Sequence, residues 1–435
     1  MEQHSYNKVY RTVGALFLAW VIAFLDRQIL TMMTPELRAD LGLSDVQLSL
    51  LQGFAFSLVF GLAGLFGGRL IDRRNRRNLI AAGLAIWSLM TFLCGFAESF
   101  AQLFVARMGV GIGEAILAPA TVSILSDMFD PKSRGRMMGI MLGGASIGTA
   151  LSLITAGQIL QAVGPGYVTV PLVGAVRAWE LTFMSVGLLG VPVLAWIMML
   201  PEPHRQTPAD GTTGEDAKLS GFWNYLLQRN LLFPLILLSF GLKMMVSYGS
   251  SIWLPTAFRR IYGIDPGVVG LTVGIAGLAT GLLGGIAGGW LSDKWAVRDP
   301  ARGRLKLYQS LLLAQFFTFT FMLTVPGFWP NVIAYGLFLS ILALNAPAGY
   351  TILSELVPPR FRGRITALMS LVTNLVALGL GPFLIAFVNE RIFGDDLMIM
   401  TSIATVAIAA SLIGLLSMQL VLRRAGVQRQ SLLAM

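Results

Sequence analysis

Twelve stretches of about 20 or more mostly apolar residues, each able to cross roughly 30 Å of hydrocarbon as a helix, follow one another along almost the entire chain. They cover residues 12–34, 47–70, 78–97, 101–124, 136–161, 179–200, 231–256, 266–291, 306–326, 330–354, 364–388 and 396–422. Peptide groups in hydrocarbon must be satisfied within their own segment, so the sequence predicts an all-α membrane protein of twelve transmembrane helices. Composition agrees: 55% of the 435 residues are hydrophobic and 12% charged, against about 25% charged in soluble domains. The polar start MEQHSYNKVYR runs directly into a full-length span with no small-residue cleavage site behind it. The first helix therefore reads as retained rather than shed as a signal peptide.

Placing both termini in the cytoplasm puts 24 of the 32 Lys and Arg on the inner side. Only Arg38, Arg177, Arg259, Arg260 and Arg391 fall on outer loops, and Arg27, Arg107 and Lys243 fall within spans. The positive-inside rule then predicts a multi-pass protein with cytoplasmic termini, expected in the cell (inner) membrane. The net charge of +10 reads as topology and attraction to anionic membrane lipid, with no nucleic acid as partner. Cys94 is the only cysteine, so no intrachain disulfide can form.

The chain repeats itself. SDMFDPKSRGR (126–136) returns as SELVPPRFRGR (354–364), an offset of 228 that also takes Pro119 to Pro347; GGRLIDR (67–73) returns as GGWLSDK (288–294). These pairs predict two pseudo-symmetric six-helix bundles, 1–200 and 231–435. The linker 201–230 joins them: PEPHRQTPADGTTGEDAKLS, then GFWNYLLQRN, whose alternation suits a short interfacial helix. Parallel six-span repeats are a framework for transporters with a site near the bilayer midplane.

GGRLIDRRNRR, with Gly68, Asp72, Arg73, Arg76 and Arg77, resembles the signature loop of the major facilitator superfamily, except that Asn75 stands where a glycine is usual. Asparagine tolerates the left-handed backbone a glycine would supply, so the turn is expected to survive. GIMLGGASIGTALSLITAG does not match the antiporter signature of the family's fifth helix. FLDRQIL, LLQGFAFSLVFGLAGLFGGRLIDR, ARMGVGIGEA and APATVSILSDMF resemble the spinster-like branch, which implies transport of lysolipids or sphingoid lipids. Asp72 and Arg73 with Arg134 and Arg136, and Asp293 with Arg362 and Arg364, are expected to form a cytoplasmic gate in each half, closed by ion pairs. Solvated charges that only set topology are the competing reading.

A charge in hydrocarbon costs about 2.5–3.5 kcal/mol on the lenient insertion scale, so each one needs a reason. Arg107 and Glu114 lie seven residues apart on one face of the fourth span, about 10.5 Å along the axis. Counting helix rise brings Asp26 level with Arg107, which predicts an ion pair. Asp26, Glu114 and Arg107 are therefore candidates for proton coupling, since burial and a neighbouring arginine push carboxylate protonation in opposite directions. A static brace is the alternative. Glu114 corresponds to Leu342 at offset 228, so this acid belongs to one half only. Arg27, Lys243, Tyr248, Asn345 and Asn374 are candidate substrate contacts, with Gln52 and Trp253 as further pathway candidates. For each, a bracing or interhelix hydrogen-bonding role stays open.

GVGIGE (109–114) sits inside a span with no strand before it, so it reads as helix packing rather than a nucleotide loop. No GK[ST] phosphate loop is present, and the two histidines, His4 and His204, lie in cytoplasmic segments. The sequence thus predicts no cofactor and no metal, with a proton gradient as driving force. It predicts a non-enzymatic alternating-access transporter, functional as a monomer, for a lysolipid, sphingoid lipid or other amphipathic organic anion. An exporter of hydrophobic compounds or an organic-acid symporter is the alternative within the class; a channel or membrane enzyme is the alternative outside it.

Overall fold

The computed structural model describes residues 2–203, 205, 219–227, 231–299, 302–358 and 361–433. Of the residues singled out above, His204 and the side chains of His4, Asp72, Pro347, Arg362 and Asn374 lie outside the described ones. Among the described residues, twelve helices are long and apolar enough to span a membrane, from Val9–Met32 to Asp396–Arg424.

The first span is α1 (Glu2–Met32), followed on one side by the short α2 (Thr34–Leu41). The second is composite: α3 (Asp45–Ser49), a π-helical turn Leu50–Phe54, and α4 (Ala55–Arg73). Ser44 starts it with a capping box, accepting from the Gln47 N–H while the Gln47 side chain accepts from the Ser44 N–H. Next come α5 (Arg76–Cys94) and the fourth span, divided into α6 (Phe100–Glu114) and α7 (Leu117–Met128). The division has a covalent cause. Pro119 has no N–H to offer the Ala115 carbonyl, and its ring crowds that carbonyl, so the helix turns just after Glu114. Its repeat mate Pro347 lies within a continuous helix, so the same residue breaks one half only.

The fifth and sixth spans, α8 (Pro131–Val163) and α9 (Ala178–Met198), are joined by the antiparallel hairpin β1 (Tyr167–Val170) and β2 (Gly174–Arg177). The hydropathy pattern gave no sign of it. Then follow α10 (Leu219–Leu227), α11 (Leu232–Tyr262), α12 (Pro266–Arg298), α13 (Gly303–Thr324) and α14 (Phe328–Leu356). The eleventh span alternates α15 (Arg362–Val372) and α16 (Gly381–Phe387) with π-helical segments, and α17 (Ile399–Leu433) closes the chain.

Two compact units result. One comprises Met1–Thr207 with Pro255–Leu278; the other comprises Pro208–Leu254 with Ala279–Met435. The hairpin of α11 and α12 thus belongs to the first unit at its tip, and α11 changes unit at Pro255, which lies inside the helix. Proline there leaves the Ser251 carbonyl without its helical N–H partner, a local weakness in the helix.

Within the first unit, α5 and α6 cross with backbones touching: a Cβ on Gly113 would lie 2.6 Å from the Gly83 carbonyl oxygen and 2.8 Å from Trp87 N. GVGIGE therefore serves helix packing, as read from the sequence, and the crossing fixes the position of neighbouring Glu114. In the second unit, the linker segment read as interfacial is helical, α10. Phe222 and Leu226 are buried, Trp223 is exposed, the Phe222 ring meets Phe361 at 5.6 Å, and the Tyr225 hydroxyl donates to the Leu356 carbonyl at 2.9 Å.

Candidate functional site

Four charges on α1 and α6 meet inside the first unit as two crossed ion pairs. Arg107 donates from Nη1 to Asp26 Oδ1 at 2.8 Å, and both side chains are 1% exposed. The Thr91 hydroxyl donates to the other Asp26 oxygen. Arg27 donates from Nε to Glu114 Oε2 at 2.5 Å. The Asp26–Arg107 pair expected from helix rise is present; the Arg27–Glu114 pair was not anticipated.

The neighbours Asp26 and Arg27 sit about 100° apart around α1, so each reaches a different level of α6. Arg27 is 23% exposed at its side chain, and its guanidinium lies over three rings: Phe24 at 4.7 Å, Phe56 at 4.8 Å and Phe60 at 4.8 Å. Such stacking stabilises a cation that has lost water. Two polar atoms of the quartet, Glu114 Oε1 and Arg107 Nε, have no partner among the described residues. Two carboxylates and two guanidiniums leave the cluster formally neutral.

The remaining candidates divide. Gln52, on the π-helical turn, is fully engaged with α1 and α2: it accepts from the Thr31 hydroxyl at 3.4 Å and donates to Thr34 Oγ1 at 3.2 Å. Trp253 donates to the Pro382 carbonyl at 3.0 Å, the interhelix hydrogen bond that was the competing reading. Tyr248 is partly buried. Lys243 is buried, and its ammonium has no hydrogen-bonding partner among the described residues, only the Phe240 ring at 5.6 Å. Asn345 is buried, and neither of its amide atoms has a partner among the described residues. Lys243 and Asn345 both belong to the second unit.

Of the cytoplasmic-gate candidates, the side chains of Asp72 and Arg362 lie outside the described residues. Arg76, rather than Arg73, is the hub: it pairs with Asp127 and with Glu202 (2.9 Å), and donates to Ser123 Oγ at 3.0 Å and the Pro203 carbonyl at 2.8 Å. Arg73 and Arg136 are exposed. Arg134 closes its own connection, donating to the carbonyls of Phe129 (2.8 Å) and Ser126 (2.6 Å). Asp293 pairs at 3.1 Å with Arg304, at the start of α13. Arg364 is partly buried and engaged. Asn75 is not left-handed. At φ −63° it caps α5, its side chain accepting from the Asn78 N–H at 2.9 Å, which explains why asparagine serves where glycine is usual.

A second charged set, on the opposite face of the membrane, was missed. Arg259 grips Glu36 with both terminal nitrogens and donates to the Met32 carbonyl at 2.6 Å. Arg260 makes two 2.6 Å bonds to Asp45, a fully buried carboxylate that Arg38 also meets at 3.4 Å. These forked pairs hold the tip of α11 within the first unit. The available signal was an Arg-Arg pair at one outer span end and acids at 36 and 45 flanking another.

Twelve spanning helices in a repeated plan, with a buried charge quartet on the first and fourth spans, define a secondary transporter fold. The model of the Major Facilitator Superfamily matches residues 16–305 and 244–432, and the chain belongs to that family. It is 27% identical over 394 residues to an MFS-type efflux pump of Mycolicibacterium smegmatis, covering 91% of this chain and 87% of that one. It is 26% identical over 408 residues to Protein spinster homolog 1 of Xenopus laevis, covering 89% and 74%. In fold it is similar to the inward-facing, unoccupied crystal structure of a bacterial homolog of the human lysosomal transporter Spinster. That match has a TM-score of 0.79 at 24% identity, covering 96% of this chain and 97% of the other.

Proposed function

We propose that this chain is a proton-coupled, alternating-access transporter of an amphipathic organic anion, with lysolipids and sphingoid lipids as the leading class. It acts as a monomer in the cell membrane with cytoplasmic termini. The observation that carries the reading is the neutral quartet with an open carboxylate oxygen on Glu114, at the break in its span. A proton on Glu114 removes half of its pair with Arg27, and the released guanidinium needs an anion to replace the lost carboxylate. The rings of Phe24, Phe56 and Phe60 beside it suit the apolar part of the same molecule. One proton and one negative charge restore neutrality, which couples them one to one. Asp26 and Arg107 hold a second acid-base pair at another level of α6. The lipid class rests on the resemblance of the quoted N-terminal segments to the spinster-like branch.

Similarity to an efflux pump favours one other reading, export of hydrophobic compounds through the same quartet. Flux in liposomes separates them. A panel of lysolipids and cationic drugs is offered with and without an inward-acid gradient, to wild-type protein and to Asp26→Asn and Glu114→Gln. Gradient-stimulated lysolipid flux that both variants lose supports the proposal; gradient-independent flux, or flux of drugs alone, rejects it.

A further inference from the structure

The hairpin between α8 and α9 is the one segment of regular structure among the described residues that neither the fold nor the charge quartet uses. Residues 163–176, VGPGYVTVPLVGAV, carry no charge. The ladder pairs Tyr167 with Arg177 and Val170 with Gly174, and the Val173 N–H closes the turn on the Val170 carbonyl at 3.2 Å. Pro171 at the second turn position and a φ of 71° at Leu172 are the pattern of a type II turn, whose third position ordinarily holds glycine. Leucine there stores backbone strain, and its side chain is fully exposed. Tyr167, Val168 and Val173 are exposed as well.

The base, in contrast, is clamped. Val176 is buried, and Arg177 meets Asp40 at 3.2 Å and lies 5.7 Å from the Tyr167 ring centroid. A rigid stem therefore presents an uncharged apolar tip. Because it links two spanning helices, it stays at the membrane surface, on the face opposite the basic loops. About half of the strand peptide groups face outward from the two-stranded ladder, which keeps the strands at the hydrated headgroup level; at the turn, Pro171 has no N–H and the Val173 N–H is bonded, so the tip can go deeper. Tyrosine is a residue of the headgroup level. A protein-docking surface would carry a polar rim to set register, and this tip has none.

We propose that the β1–β2 hairpin is a lipid-dipping finger: Pro171, Leu172 and Val173 insert into the headgroup and upper acyl region of the adjoining leaflet, with Tyr167 at the interface. This does not depend on what the transporter carries.

The test uses the full chain in phosphatidylcholine–phosphatidylglycerol vesicles, with the buried Cys94 replaced by alanine and an environment-sensitive NBD label on Leu172→Cys. A control label on Glu98→Cys marks the exposed connection between α5 and α6 on the same face. The label at 172 should emit to the blue and be quenched by shallow doxyl lipids about twofold more than the control, with iodide quenching reversed in order. In a second chain labelled at Val168→Cys, adding Leu172→Asp and Val173→Asp should abolish the lipid quenching. Water-like emission and iodide access at 172 equal to the control would overturn the proposal. So would a blue shift without lipid quenching, which would point to a protein covering the tip.

Discussion

If Glu114 and Arg27 exchange partners with a proton and a substrate anion, the pH dependence of binding is set by the charge count. Removing the Glu114 charge leaves the quartet at +1, and one anionic head group returns it to zero. Linkage then requires the apparent Kd of a mono-anionic ligand to rise about tenfold per pH unit once Glu114 is ionised in the free protein, about 1.4 kcal/mol per unit. Binding weakens as pH rises, because the carboxylate and the ligand compete for Arg27. Glu114→Gln keeps a side-chain oxygen near Arg27 but cannot compete as an anion, so its Kd should stay low and flat. The assay is titration of a fluorescent lysophosphatidylglycerol into nanodisc-held protein from pH 5.5 to 8.5. Calorimetry in two buffers of different ionisation enthalpy should show uptake of about one proton per ligand by wild type at high pH and none by the variant. A flat wild-type profile, or a slope that survives in Glu114→Gln, would refute the exchange.

Four other outcomes follow from the geometry. Asp26→Ala strands Arg107 in the interior and should cost about 3–5 kcal/mol, read as a fall in Tm in detergent, with Asp26→Asn milder because it still offers Arg107 an acceptor. Lys243→Met removes a buried ammonium that has no hydrogen-bonding partner among the described residues, and should raise Tm in detergent. Gly113→Leu would push a side chain into the α5 backbone, where even a Cβ meets Gly83 oxygen at 2.6 Å; monodisperse protein should be lost on size exclusion. Asp45→Asn breaks the forked pair with Arg260 at about 1.5–3 kcal/mol and should increase labelling of a cysteine introduced on the α11–α12 connection, such as Asp265→Cys.

The number of spans and the twofold repeat read out of local pattern, because apolar run length and recurring motifs are counted along the chain without reference to partners. One long-range feature was also legible. Asp26 and Arg107 could be levelled against each other, since helical rise is nearly constant. Arg27 could not be placed that way: its height suits several partners, and its choice of Glu114, 87 residues away, is made by the rotation of α1. That rotation, in turn, is matched to an α6 whose own position depends on the Gly83–Gly113 crossing with α5. The break after Glu114 likewise needed the fold, since Pro119 and Pro347 share a sequence context and only the first divides its helix. Asp293 shows the same limit: nothing in the repeat pointed to its pair with Arg304 on the next helix.

What the sequence alone determined, then, is everything measured along a single helix: its length, its polarity, its two buried acids and their cations. Tertiary structure decided which cation each acid holds, where the tip of α11 belongs, and what the 167–177 hairpin exposes. Those depend on close approach of backbones far apart in the chain, an energy that no one segment carries by itself.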